Sequence, residues 1–207
     1  MKRNLLLCLA VLMAASILFT ACKPTDSSSG SSSSGAASAA DASEGSGSDA
    51  ESGGELSFAS FTAEDLDGNE VTETIFADHE LTMLNIWATD CPPCISEMPE
   101  LAEINREYAD KGVQVVGVVM DLLDSDRNIS EDQLDLAKEI VEQTGADYPH
   151  LRPSDDLIII ALQYVTATPA TVFIDKDGNY VGNALYGARD KAKWGKVIDE
   201  KLAELKQ

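Results

Sequence analysis

The chain predicts an α/β domain built on a mixed sheet, and three observations carry that prediction. The first is Leu81 to Trp87, an apolar, β-favouring run followed by a helix-period pattern to about Tyr108 and then by Val113 to Met120, almost continuously apolar and β-branched. A strand, a helix and a second buried strand in this order make a right-handed parallel crossover. The second is Thr168-Pro169, placed just before the apolar run that ends at Asp175. A proline there is compatible with a strand only at the strand's start. Asp177-Gly178 then turns the chain into Tyr180 to Tyr186, an antiparallel partner. The third is the C-terminal pattern Trp194, Val197, Ile198, Leu202 and Leu205, which lines one face of a final helix.

Before the domain come two segments of different character. Residues 1–21 read as an export signal: Lys2 and Arg3 give the basic start, and Leu5 to Phe19 is a mostly apolar core too short for a membrane span. It ends in Phe19-Thr20-Ala21-Cys22, similar to a bacterial lipobox whose cysteine is acylated and becomes the mature N-terminus, although Phe19 stands where a branched apolar residue is usual. The alternative is an ordinary signal or uncleaved anchor with an incidental cysteine. Residues 22–54 collapse to Ser, Gly, Ala, Asp and Glu after Cys22, a composition that cannot bury enough apolar surface to offset its ordering entropy. As a flexible tether that segment spans about 30 Å. The folded domain is expected over residues 55–207, with 31 acidic and 12 basic residues. Such a charge excludes nucleic acid as a natural partner and disfavours contact with anionic lipid, so membrane association rests on the anchor.

Within the domain, Ser57 to Thr62 and Glu70 to Thr74 flank Asp67-Gly68 and read as an N-terminal hairpin. Ser130 and Gln133 resemble a capping box, and Leu134, Leu136, Ala137, Ile140 and Val141 continue a helix that closes near Gly145. Tyr148 to Leu151 reads as a short strand, and Asp155 to Tyr164 as a second helix. His79 and His150 read as solvated surface residues, since neither has a partner at metal-ligand spacing.

The chemistry concentrates in Cys91-Pro92-Pro93-Cys94, where a strand hands over to a helix. The first N–H groups of a helix lack intrahelical partners and its macrodipole is positive there, which favours a thiolate. Cys91 falls at the N-cap, Pro92 at the first helical position, and Cys94 in the first turn, close enough for a reversible disulfide. A four-thiolate zinc site would need a second pair, and the remaining cysteines, Cys8 and Cys22, belong to the targeting segment.

The run Trp87 to Leu101, with Thr168-Pro169 downstream, resembles the thioredoxin superfamily, and within it the TlpA/ResA-like branch of envelope thiol-disulfide oxidoreductases. The resemblance covers residues 55–207. It implies a thioredoxin-like three-layer fold, a central mixed sheet flanked by helices, with an N-terminal β-hairpin and an inserted helical segment over residues 121–166. It also implies a cis bond before Pro169, which would face the cysteine pair. Cys91 would then be the nucleophile, Cys94 the resolving thiol, and Glu97, one helical turn after Cys94, the buried proton acceptor. Trp87, Pro92, Pro93, Thr168 and Pro169 would line the substrate, with Trp87 chiefly a core residue. Two departures matter. Asn85 stands where cytosolic thioredoxins carry a buried aspartate, leaving Glu97 as the only obvious carboxylate. Asp90 stands where most relatives have an aromatic residue; its charge should raise the Cys91 pKa, and Pro92 and Pro93 remove two N–H groups from the thiolate's reach.

The expected activity is reduction of disulfides in envelope proteins such as apocytochrome c, a partner reductase or a peroxidase. It would use the Cys91-Cys94 couple with no organic cofactor and no metal, and would draw electrons from a membrane donor. The expected location is extracytoplasmic, held to the bacterial cell membrane by lipidated Cys22. Two rivals stand beside it, a disulfide-forming oxidase and a copper-binding metallochaperone using Cys91, Cys94 and a histidine. A peroxiredoxin shares the fold, but paired cysteines in one turn suit dithiol exchange better than peroxide attack.

Overall fold

The computed structural model describes residues 57–206; the expected export signal, Cys22 and the Ser/Gly-rich segment lie outside the described residues. The chain opens with a small antiparallel hairpin, β1 (Thr62–Glu64) and β2 (Glu70–Thr72), followed by a one-turn helix, α1 (Thr74–Ala77). The hairpin is shorter than its sequence predicts. Residues 57–61 form no strand, because Phe58 and Phe61 leave the surface to pack edge-on or tilted against Phe76, while Phe58 N–H and the Ser57 hydroxyl donate to Gly178 O.

The central sheet is mixed. Its middle strand, β3 (Leu81–Trp87), runs parallel to β4 (Val113–Val119) and antiparallel to β6 (Ala170–Asp175). A two-residue β5 (His150–Leu151) extends the β4 edge, and β7 (Leu185–Tyr186) extends the β6 edge, giving the order β5-β4-β3-β6-β7. The predicted strand Tyr180 to Tyr186 is reduced to its ends. Tyr180 makes one isolated bridge to Ile174, and Gly182, at φ +78°, turns the chain before β7 begins.

Helices cover both faces. α2 (Pro92–Tyr108), α3 (Glu131–Thr144) and α5 (Lys191–Glu204) bury their apolar sides against Leu81, Met83, Trp87, Val115 and Phe173. α1, the hairpin and α4 (Asp155–Ile160) close the opposite face over Leu84, Ile86, Val116, Val118, Val172 and Ile174. Strand residues therefore alternate strictly between two cores, as the period of two demands. The predicted helix Asp155 to Tyr164 breaks at Ala161, which leaves the helical region (φ −136°, ψ −61°), and resumes as a 3₁₀ turn over Leu162–Tyr164. Leu205 of the final amphipathic stripe lies past the end of α5 and is exposed.

Ser130 caps α3 by accepting the Gln133 N–H at 3.5 Å, but the reciprocal half of the predicted capping box is missing. The Ser130 N–H goes to Leu122 O instead, and the Gln133 side chain turns toward Thr89. The inserted segment thus touches the turn that carries the cysteines.

Candidate active site

The strand-to-helix handover places the cysteines as their spacing requires. Cys91 is the extended N-cap of α2, Pro92 opens the helix, and Cys94 sits in its first turn, joined to Cys91 by a disulfide with a Cα–Cα separation of 5.3 Å. Pro92 and Pro93 are exposed on the rim, whereas both cysteines are buried, Cys91 at 7% exposure and Cys94 at 1%. Only Cys91 presents any surface worth the name to an incoming disulfide. The turn before it is pinned by Asp121, whose Oδ2 accepts both the N–H (2.9 Å) and the hydroxyl (2.6 Å) of Thr89.

The Thr168-Pro169 bond is cis. Val165, Thr166, Ala167 and Thr168 form one wall of a groove of about 350 Å³ whose other wall is Ala88, Asp90, Met120 and Asp121. Two carboxylates and no cationic side chain line it.

Glu97 lies one turn beyond Cys94 on α2 and is 3% exposed. Burial pushes its carboxyl above the ordinary glutamate range, and donors oppose that push: the Arg189 N–H (2.8 Å) and the Trp194 indole N–H (3.3 Å) reach Oε2, and Asn85 Nδ2 (3.0 Å) reaches Oε1. Asn85 also donates to Thr171 Oγ1 at 3.2 Å, so the amide that replaces an aspartate serves as a bridge between two strands and the acid.

Asn85 belongs to a row that crosses the sheet. Its neighbours in register are Thr171 on β6 and Gly117 on β4, and Gly117 in turn faces His150 on β5. His150 overturns its expected place at the surface. It is 4% exposed, its Nδ1 accepts the Trp87 indole N–H at 3.2 Å, and its Nε2 lies 3.2 Å from Ala146 O, which fixes the proton on Nε2. Burial pushes its pKa down to about 4. Gly117 exists for this ring, since a Cβ there would collide with Nδ1. Tyr148 packs its ring 4.5 Å from the imidazole, and its hydroxyl, buried and without a hydrogen-bond partner among the described residues, is pushed far up by desolvation and secondarily by the Glu97 charge. His79 is half-buried after α1.

Trp87 is completely buried, so its indole cannot line a substrate; its role is to pack the core and bond His150. Pro92, Pro93 and Thr168 do reach the rim, and Pro169 lies buried behind Thr168. Among the described residues no three His, Cys, Asp or Glu side chains are placed to hold a metal ion, and no helix is long and apolar enough to cross a membrane. Sequence reasoning missed His150, Arg189 and Trp194; only Gly117, a glycine inside a β-branched strand, signalled a close approach.

Residues 56–181 match the family model described as AhpC/TSA, more than half of the chain. The chain belongs to the AhpC/TSA family. It is similar to the thiol-disulfide oxidoreductase ResA of Halalkalibacterium halodurans, 29% identical over 121 residues, or 58% of this chain and 62% of that protein. ResA of Bacillus thuringiensis is 31% identical over 122 residues, 58% of this chain and 63% of that one. The match thus spans under two thirds of the curated relatives' length. Among solved structures, a thiol:disulfide interchange protein of the thioredoxin family from Chlorobium tepidum superposes with a TM-score of 0.58 at 25% identity, covering 72% of this chain and 97% of that one. A secreted disulfide oxidoreductase of Mycobacterium tuberculosis shares the fold, with a TM-score of 0.51 at 21% identity over 70% of this chain and 96% of that one.

Proposed function

We propose that this protein is an extracytoplasmic thiol-disulfide oxidoreductase, tethered to the membrane through lipidated Cys22, that reduces disulfides in other envelope proteins. The observation that carries the proposal is the Cys91-Cys94 pair at the N-terminus of α2 with Glu97 buried one turn behind it. In the reduced protein the Cys91 thiolate attacks one sulfur of a substrate disulfide, the substrate S–S bond breaks, and the departing thiolate takes up a proton. The Cys94 thiol then gives its proton to Glu97 and attacks the Cys91 sulfur of the mixed disulfide. The second substrate sulfur leaves and is protonated. Two electrons and two protons pass to the substrate, and the Cys91-Cys94 disulfide is restored. Both electrons reside in the sulfurs, so the couple requires no organic cofactor. A membrane donor would return the protein to its dithiol state.

What surrounds Cys91 supports the reducing direction. The helix N-terminus favours its thiolate, but Pro92 and Pro93 offer no N–H and Asp90 is exposed beside it. A less stabilised thiolate makes a more reducing couple, and the expected potential is more negative than about −220 mV. Equilibration with a dithiothreitol series measures it, and a value near −120 mV, typical of a strong oxidant, would reverse the assignment. In cells, Cys94→Ser should trap mixed disulfides with substrates, oxidised apocytochrome c or a partner reductase or peroxidase among the expected classes. Cys22→Ala should release the protein from membranes in cell fractionation, and a variant that stays with the membrane would overturn the anchor.

A further inference from the structure

The segment between β7 and α5 joins two parts of the site that the sequence keeps far apart. Its Gly187 N–H donates to the carbonyl of Pro169 at 2.9 Å, and its Arg189 N–H donates to Glu97 Oε2 at 2.8 Å. Asp190 then caps α5 by accepting the Lys193 N–H, which sets Trp194 in the first turn with its indole N–H 3.3 Å from the same Glu97 oxygen. The Arg189 side chain folds back: its Nη1 donates to Gly187 O at 2.8 Å, and its guanidinium carbon stacks 4.7 Å from the Trp194 ring centroid. Residues 187–190 are therefore a strap fixed at one end to the cis-proline Pro169, next in sequence to the groove wall, and at the other to the buried acid.

The two carboxylate oxygens are not equivalent. A carboxylate oxygen accepts about two hydrogen bonds. Oε2 holds two donors, while Oε1 holds one, from Asn85. The acceptor direction left open for an incoming proton is on Oε1. The donors on Oε2 oppose the rise that desolvation imposes on the acid.

We propose that Arg189 and Trp194 are positioning residues for the proton transfer: they occupy Oε2 and leave Oε1 to receive the proton of Cys94. The proposal rests on reading Glu97 as the base that activates Cys94. The groups that face Glu97 are few. Asn85 from β3 and Trp194 from α5 do not titrate, and Thr171 on β6 reaches it only through Asn85. Tyr148, ahead of β5, is held neutral by burial, and Cys94 shares the α2 helix. Arg189 from the strap supplies the attracting charge; the nearby Lys191 ammonium is engaged by Glu103 and Glu107.

The test is the pH–rate profile for the second, resolving step of insulin reduction by the pre-reduced protein, in which Cys94 displaces the substrate thiolate from Cys91, followed by rapid mixing on the wild type and on Glu97→Gln, Trp194→Phe, Arg189→Gln and Arg189→Lys. Because the base must be deprotonated, the rate falls as pH drops through the Glu97 pKa. Trp194→Phe keeps the stacked ring and removes the donor, and should move that fall upward by about one pH unit. Arg189→Gln keeps the backbone donor and removes the charge, and should move it upward by about half a unit, with Arg189→Lys restoring the wild-type position. A purely structural role would lower the melting temperature without moving the profile. If Glu97→Gln abolishes the acid limb while the Trp194 and Arg189 variants leave it in place, the strap inference is overturned and the base survives. If Glu97→Gln leaves the limb unchanged, the base itself is wrong. Should Trp194→Phe not fold, the Arg189 pair decides the matter alone.

Discussion

The two faces of the sheet are made from the same three strands and are put to different uses. Toward α2, α3 and α5, the inward residues of β3 are Leu81, Met83, Asn85 and Trp87; toward α1 and α4 they are Thr82, Leu84 and Ile86. The first face carries both cysteines, Glu97 and the row His150, Gly117, Asn85 and Thr171, and each polar side chain in that row is hydrogen-bonded. The second is closed by aromatic rings, Phe58, Phe61 and Phe76, with the bonded pair Gln114 and Thr82 as its polar exception at the strand end away from the cysteines. Burying polar groups costs stability unless each is bonded. Concentrating most of them beside the cysteines leaves the other face chiefly to apolar burial.

That division makes its strongest prediction on the inert side. Phe76 is 1% exposed with ring centroids 5.7 and 5.6 Å from those of Phe58 and Phe61. Phe76→Ala should cost about 3 to 5 kcal/mol of unfolding free energy in a denaturant titration. The pH profile of dithiol exchange in the folded variant should be unchanged, and a shifted profile would mean that the faces are coupled.

The next prediction belongs to the reactive side and depends on pH. His150 falls from an ordinary 6.5 to about 4 on folding. A depressed base binds fewer protons folded than unfolded, so its contribution is fully present above pH 6.5 and is lost as pH falls through about 4. The size is on the order of 3 kcal/mol. Unfolding curves between pH 7 and pH 4 should show this loss in the wild type and a much flatter response in His150→Gln. An equal slope in both would remove the imidazole from the account.

Legibility in the sequence followed the same division. Leu81–Trp87 and Pro92–Tyr108 were readable to the residue, because a fully buried strand and a capped helix leave unbroken apolar and periodic signals. The placement of Cys91, Cys94 and Glu97 on one stretch at the start of α2 was readable because a helix makes local spacing into geometry. The hairpin was readable but its first strand is shorter than its sequence suggests, because Phe58 and Phe61 are placed by distant rings and not by strand pairing. Turn chemistry was readable only where glycine marked it. Asp65, Asp124 and Asp175 each accept the N–H groups two and four residues on, but the middle turn holds Arg127, at φ +65°, where the others have Gly68 and Gly178. His150, Arg189 and Trp194 meet Trp87 and Glu97 across 63, 92 and 97 residues, separations at which no periodicity survives.

The smallest expected effect compares like with like across the sheet. Gln114 Nε2 donates to Thr82 Oγ1 at 2.8 Å and to Ile75 O at 2.6 Å, while Asn85 Nδ2 donates to Thr171 and Glu97. Thr82→Val removes one acceptor and leaves the Gln114 amide its second, so the loss should be about 1 kcal/mol, the value of one neutral hydrogen bond. Reduction kinetics should keep their wild-type pH dependence. Asn85→Leu deletes a comparable amide on the other face, but it strips Oε1 of its only donor and weakens the anionic form of Glu97. Its acid limb should therefore move to higher pH. If both variants move the limb, or neither does, the separation of a stabilising face from a reactive one fails at the residue where it is easiest to see.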